Sequence, residues 1–415
     1  MSLNWNRIYQ ITWSVYNLPF VAAACLWRRC MRKTTFIAIV GSMGKSTATK
    51  CLYKILSSQF SCITNEDSNG RLGLTRTVLK VRPRHRFAVL EVGILKKNRM
   101  WRSAFMVKPH VVSMTGVARR HVSGLGTLDS ILYEKAQIMR HLRTDGLVTL
   151  NGDDQRVASL AGSIPCPVRI FGSDPKHDVW ADEVSAVWPE RLRLRVHVGR
   201  ESYPLQTALV GTHWTPSVLA AIATSVSLGV TPRDAADALH GIEPFPVRLD
   251  PVTIPSGAVI LRDEYNGGLP TYRVALEILR EARVKRRIAA VGRVTEAEGR
   301  PTEGARQLGK LLAVSADLAV VTGPQAAEIR AAAVNAGMSF DTILIVEDVR
   351  AMSDWIGSQS RSGDLILLKG EWNEHLSRAS FAQLGSVDCW QFPCPVPVVC
   401  DKCSKLGFVP RGEVA

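Results

Sequence analysis

The sequence predicts an α/β protein: a doubly wound central domain built around a phosphate loop, followed by a second, Rossmann-like α/β domain. Three observations point there. Residues 37–50, Ile-Ala-Ile-Val-Gly-Ser-Met-Gly-Lys-Ser-Thr-Ala-Thr-Lys, run from an apolar strand through a glycine loop into a polar helix start. Beyond the loop, buried-type strands alternate with helical patterns. After a break at Gly241 to Pro246 a second alternating series begins and continues to about residue 385.

The elements follow in order. Between Arg7 and Arg28 lies an apolar stretch interrupted by Gln10, Asn17 and Pro19, which makes a marginal membrane span. With Trp5, Trp13, Tyr16 and Trp27 and the Arg28–Lys33 basic cluster, residues 1–33 suit a leader helix lying on an anionic membrane surface. A helix packed on the protein's own core, or mediating oligomerisation, fits the same pattern. No cleavage site marks a secretory signal. Strands are expected at Arg86–Val92, ending on Glu91, at His110–Thr115 and at Gly146–Leu150, with a turn at 151–154. Helices are expected over Ser46–Ser57, Ser130–Leu142 and Thr215–Leu228. Arg191, Arg193 and Arg195 alternate with Leu192, Leu194 and Val196, the pattern of a strand with one wet face. The second series places strands near Val259, Ile288, Leu318, Ile343 and Leu365. The expected domains are therefore 1–33, 34–243, 244–385 and a Cys- and Pro-containing tail, 386–415.

Charge and cysteines narrow the function class. The net charge of +15 calls for an anionic counterpart, but its short basic runs do not interleave with aromatics as a single-strand nucleic-acid groove would, so no nucleic acid is expected. Nine cysteines without the spacing of a secreted disulfide scaffold fit a reducing cytosol. In the tail, Cys389, Cys394, Cys400 and Cys403 could make a four-thiolate Zn²⁺ site, or simply be reduced thiols.

The phosphate loop carries the most chemistry. Gly41 and Gly44 let backbone N–H groups of Ser42 to Thr47 approach phosphates, Lys45 reaches the β/γ oxygens, and the Ser46 hydroxyl can join a Mg²⁺ shell, so function begins from ATP. The loop departs from the general pattern at Ile39, where a first glycine belongs. It resembles instead G-[ST]-x-G-K-[ST]-[TS], the loop of the Mur ligases that assemble peptidoglycan peptides. Further segments resemble that family in the same order: Val-Leu-Glu-Val-Gly around Glu91, Lys108–Val117 leading to His121, Tyr-Glu-Lys-Ala-Gln-Ile around Lys135, Leu150–Asp154, Gly211–Ala221, Asp263–Asn266, and Leu-Leu-Lys-Gly ending on Gly370.

The resemblance implies roles. Ser46 and Glu91 would hold one Mg²⁺, and His121 with a CO₂-carbamylated Lys135 a second, the carbamate turning a cation into a carboxylate-like ligand. Lys45, His121 and Lys135 form the implied catalytic set. Arg248, Asp263 and Asn266 join the nucleotide contacts, and Asn69 and Lys369 are assigned to substrate. The implied reaction joins a carboxylate to an amine, an amino acid or peptide, through an acyl phosphate, with the C-terminal domain closing over ATP. The motifs depart from the family at Trp214, Ser217, Gly267–Gly268 and Glu371, leaving an ATP-binding but catalytically degenerate regulator as an alternative. Thirty-three residues before the central domain are too few for the UDP-sugar-binding domain of MurF-type members, so poly-γ-glutamate synthases and MurT-type subunits, with a membrane-linked acid or a partner subunit, are also similar. The expected location is cytoplasmic, peripheral at the inner face of the membrane.

Overall fold

The computed structural model describes residues 18–65, 68–94, 96–118, 125–295, 301–396 and 398–411. Trp5, Trp13, Tyr16 and His121 lie outside the described residues. Two compact units are present: the first comprises Met1–Val184, Arg193–Thr207 and Trp214–Ile242, the second Ser185–Leu192, Ala208–His213 and Glu243–Ala415.

In the first unit, helix α1 (Leu18–Cys30) leads to β1 (Thr35–Val40), α2 (Lys45–Ser57), β2 (Cys62–Thr64), α3 (Arg71–Lys80), β3 (Phe87–Glu91), α4 (Met100–Val107), β4 (Val111–Met114), α5 (Leu128–Ala136), β5 (Leu147–Asn151) and the short α6 (Gln155–Ala158). Strands β6 (Val168–Gly172), β7 (Val179–Ser185), β8 (Arg193–Val198) and β9 (Glu201–Gln206) follow, then α7 (Thr215–Ser227) and α8 (Pro232–Leu239). The described strands form one sheet in the order β2-β3-β1-β4-β5-β6-β7-β8-β9. β1 is parallel to both neighbours, Ile39 pairing with Glu91 and Val40 with Met114. Phe36 to Val40 and Phe87 to Glu91 are buried throughout, as strands covered on both faces require. In β8 the alternation expected from the arginines is present: Leu194 and Val196 are buried while Arg193 is exposed.

The element between Ser130 and Leu142 is shorter than its pattern suggested. The α-helix begins two residues earlier, where the Thr127 side chain accepts from Ser130 N, and gives way to a 3₁₀ turn over Gln137–His141. Helix α1 turns part of the leader inward. Ala24 is buried in the unit's core, Trp27 Nε1 donates to Val81 O (2.9 Å), and Arg28 donates from Nε to Val107 O and from Nη2 to Lys108 O (2.6 Å each). Trp27 and Arg28 are therefore corrected from lipid contacts to internal ones, because the last carbonyls of α4 need donors that Arg28 supplies.

The second unit contains β10 (Asp250–Thr253), β11 (Val259–Asp263), α9 (Leu269–Glu281), β12 (Arg286–Val291), α10 (Pro301–Ser315), β13 (Leu318–Thr322), α11 (Ala326–Asn335), β14 (Ile343–Val346), α12 (Val349–Gln359), β15 (Asp364–Lys369) and α13 (Ser377–Leu384). Its sheet runs β10-β11-β15-β12-β13-β14, parallel except for β10. The tail belongs to this unit: β16 (Gly385–Ser386) pairs with β17 (Val409–Pro410), and Arg262 on β11 donates to Asp401 through both terminal nitrogens (2.8 Å each). The zinc expectation is corrected. The described residues hold no group of three or more His, Cys, Asp or Glu arranged for a metal, and Cys400 instead lies 3.4 Å from His375 Nδ1.

Candidate functional site

In the first unit the site is assembled at the carboxyl ends of β1, β3 and β4, where a doubly wound sheet opens. The loop 41–44 leaves β1 and enters α2. Gly44 precedes the helix at φ 75° and, having no side chain, supplies no cap of its own to the helix start. A β-carbon on Gly44 would stand 2.5 Å from Ser217 Oγ, and one on Gly41, at φ 156°, 2.1 Å from Thr115 Oγ1. Those two hydroxyls hold the loop: Ser217 donates to Gly44 O (3.1 Å) and Thr115 to Met43 O (2.7 Å). Ser42 N adds a bond to Gly116 O (2.8 Å). The 151–154 turn fixes that support, because Asn151 Nδ2 donates to Thr115 O (2.8 Å) and Asp154 accepts from Val117 N (2.7 Å).

Lys45, Ser46 and Thr47 are all buried in the first turn of α2, and Lys45 Nζ lies 3.5 Å from Ser42 O. Lys135 is buried as well, its Nζ donating to Gly41 O at 2.7 Å. Its neighbour Glu134 accepts from the N–H groups of Asn98, Arg99 and Met100, which ties α5 to the start of α4 and sets where Lys135 stands. Glu91, at the end of β3, is 3% exposed. Asn65 grips its backbone from both sides, accepting from Glu91 N and donating to Glu91 O (2.8 Å each), and Asn69 Nδ2 holds its Oε1 at 2.7 Å. Asn69, expected at substrate, thus stands beside the carboxylate expected at metal. A buried carboxylate and a serine hydroxyl are the hard oxygen donors that Mg²⁺ prefers, and a helix start entered through a glycine loop suits phosphate.

The second unit carries its own cluster. Asp263 and Lys369 occupy paired positions at the ends of parallel β11 and β15, and the side chain of the buried Lys369 forms an ion pair with that of the half-buried Asp263. Lys369 Nζ also donates to Asn266 O (3.1 Å), while Asn266 Oδ1 accepts from Gly268 N (2.9 Å). Burial raises the Asp263 carboxyl, and Lys369 opposes that shift. His213 is half-buried, its imidazole pushed down to about 3 by desolvation and then by Lys369. Arg248 lies 4.3 Å over the Tyr265 ring. Its neighbours Val247 and Leu249 hold φ values of 57° and 52°, costly for side-chain-bearing residues, and both are buried. Glu371, where the motif differs, accepts from Gly267 N and Thr295 Oγ1 (3.0 Å each), so that substitution is matched by the Gly267–Gly268 loop it anchors.

The reading of the motifs missed Thr115, Asn65 and Glu134, whose partners lie 26 to 72 positions away in the chain. Ser217 was visible only as a departure from a motif; in the structure it is a loop support.

An α/β chain with a glycine loop between strand and helix, a buried strand-end carboxylate and a lysine under the loop has the P-loop doubly wound architecture. Two family models match it: the Mur ligase middle domain over residues 39–225 and the Mur ligase, glutamate ligase domain over residues 247–372. The chain belongs to the Mur ligase family.

Among curated relatives, the UDP-N-acetylmuramoyl-tripeptide–D-alanyl-D-alanine ligase of Bacillus subtilis is 26% identical over 246 residues, covering 59% of this chain and 52% of that protein. The Escherichia coli enzyme of the same name is 25% identical over 268 residues, covering 61% and 57%. The chain thus spans about half the length of these curated relatives. Among solved structures, MurF from Acinetobacter baumannii superposes with a TM-score of 0.80 at 21% identity, covering 88% of this chain and 80% of that one. The MurF ligase from Thermotoga maritima in complex with ADP gives 0.75 at 20%, covering 87% and 82%. These likenesses show the fold.

Proposed function

We propose that this protein is an ATP-dependent carboxylate–amine ligase that works through an acyl phosphate. The observation carrying this reading is the phosphate loop itself, held by Thr115, Ser217 and Lys135 beside the fixed carboxylate of Glu91. A carboxylate is a poor electrophile, so a carboxylate oxygen first takes the γ-phosphoryl group from ATP, releasing ADP. The amine then attacks the acyl carbon, loses a proton, and expels phosphate as the amide forms. Lys45 and the first-turn N–H groups of α2 neutralise charge developing on the transferring phosphoryl group. Ser46 and Glu91, the latter oriented by Asn69, would hold Mg²⁺, which would supply positive charge against the phosphates. Carbamylation of Lys135 would leave one N–H on Nζ, which can keep the bond to Gly41 O, and the added carboxylate would join His121 in holding a second metal. Arg248, Asp263, Asn266 and Lys369 serve the nucleotide and substrate.

The relatives' names suggest a muramoyl-peptide acid and a D-alanyl-D-alanine-like amine; a poly-γ-glutamate-type acid, or a lipid-linked acid handled with a partner subunit, is the alternative. The proposed location is cytoplasmic and peripheral to the membrane.

The deciding experiment incubates the protein with ATP, Mg²⁺ and paired pools of candidate acids and amines, and follows phosphate release and product mass. Turnover should require both an acid and an amine, and Lys45→Ala should lower it at least roughly a hundredfold in a folded protein. ATP binding with no turnover in any pool would favour the degenerate regulator, and undiminished turnover by Lys45→Ala would remove the ligase reading.

A further inference from the structure

The net charge of +15 is concentrated rather than scattered. Between Leu18 and Ala118 stand 18 Lys and Arg against three acids, Glu66, Asp67 and Glu91, so this segment alone nets as much positive charge as the whole chain. Glu91 is buried. Within the segment α1 and α4 adjoin, because Arg28 of α1 donates to the carbonyls of Val107 and Lys108 at the end of α4. Neither helix contains an acidic residue.

Both helices leave large apolar side chains in solvent: Phe20 and Leu26 are 61% exposed, Trp101 and Phe105 42%. Cations flank them. Arg29, Arg32, Lys33, Arg99 and Arg102 are exposed, Arg102 lies 5.4 Å from the Trp101 ring centre, and Lys108 Nζ 5.6 Å from that of Phe105. Arg71 is pushed down by burial and then by Arg102 and Arg99, a sign that like charges crowd here. Exposed apolar residues among cations, on helices that carry no acid, are the combination that binds anionic lipid: the rings enter the headgroup boundary and the cations answer the surface potential. An acidic protein partner would neutralise the same charge. The apolar side chains, however, stand in solvent on two separate helices, which suits a fluid surface better than a shaped one.

We propose that the adjoining outer faces of α1 and α4 dock this protein onto an anionic phospholipid surface, with Phe20, Leu26, Trp101 and Phe105 entering the headgroup boundary. The inference deepens the peripheral location proposed above and is independent of the chemistry at the phosphate loop. Full-length protein is sedimented with vesicles of phosphatidylcholine alone and of phosphatidylcholine with phosphatidylglycerol, at low and high salt, with phosphate release followed in parallel.

Binding should require phosphatidylglycerol and weaken as salt rises, since screening acts over about 8 Å at 0.15 M. The double variant Arg29→Glu/Arg102→Glu should bind at least roughly tenfold more weakly, each cation near such a surface being worth about fivefold. Trp101→Ser/Phe105→Ser should also lose binding, and both variants should keep their ATP turnover. Equal binding to neutral vesicles, or undiminished binding by both variants, overturns the proposal. So does loss of sedimentation only on removing residues 1–17, which would assign the contact to the leader. Vesicle-independent self-association, or capture by an acidic protein, that the same variants abolish would assign the face to a protein and also overturn it. Intact sedimentation without turnover would count against the ligase reading alone.

Discussion

Lys135 is the residue at which the proposed chemistry is tested most directly, because an ammonium and a carbamate at the same Nζ would do different work. As an ammonium it caps Gly41 O; as a carbamate it keeps one donor and adds an anionic ligand. In CO₂-depleted buffer the wild-type turnover should fall and bicarbonate should restore it, while Lys135→Ala should lose turnover and regain part of it with added short carboxylates. Indifference to bicarbonate together with an active Lys135→Arg would assign the ammonium instead. Asn69 offers a finer test. Its amide fixes one oxygen of Glu91, so Asn69→Ala should raise the Mg²⁺ concentration needed for half-maximal turnover about tenfold or more, as loss of a ligand's supporting contact does. An unchanged Mg²⁺ requirement with a weakened KM for acid would return Asn69 to the substrate. The loop residues 41–47 were legible because phosphate binding by a glycine loop is local in sequence. Asn69 with Glu91 and Lys135 with Gly41 were not legible as contacts, since 22 and 94 positions separate them and only the sheet brings them together.

At the scale of elements, β4 illustrates how a half-buried imidazole couples neighbours. His110, just before the strand, accepts the Phe36 N–H at Nδ1 (2.9 Å), which requires its unprotonated form, and faces Arg28 across 3.4 Å. Burial and then Arg28 push the imidazole down to about 4, with Asp145 opposing and Arg143 assisting. An unfolded histidine titrates near 6.5. The neutral His110 therefore contributes its full stabilisation above about pH 6.5 and loses it as pH falls toward 4, by at most about 3 kcal/mol. Urea unfolding between pH 4.5 and 7.5 should show this slope in the wild type and a flatter one in His110→Asn, whose amide oxygen can accept the same N–H. Equal slopes would dismiss the assignment. The strands around His110 followed from their apolar runs, whereas α1 remained ambiguous in sequence. An arginine reads as solvent-facing by its charge, and only the waiting carbonyls of Val107 and Lys108 make Arg28 an inward residue.

At the scale of the whole molecule, alternation of strand and helix made the α/β class legible, but alternation says nothing about which stretches share a core. The second unit draws Ser185–Leu192 and Ala208–His213 from far upstream. Trp188 and Val210 sit buried in its core with Leu261, Tyr272 and Leu276, and Trp188 O accepts from Arg283 N (2.9 Å). Its downstream tail is tied in by Arg262, which holds Glu264 and Asp401 at once. A fragment cut at the borders suggested by sequence, 244–385, would lack Trp188, Val210 and Asp401 together. Truncating a buried Trp commonly costs about 3–5 kcal/mol, and a buried arginine stripped of one carboxylate adds to that. The fragment should therefore unfold at clearly lower denaturant than the β12 and β15 amides of the intact protein, as read by hydrogen exchange, and 244–411 should recover only part of the difference. Trp188→Ala in the full chain should weaken protection in β12 and β15 while leaving β1 and β3 unchanged. A 244–385 fragment as stable as those strands in the intact chain would show that the upstream segments and the tail are dispensable to this core.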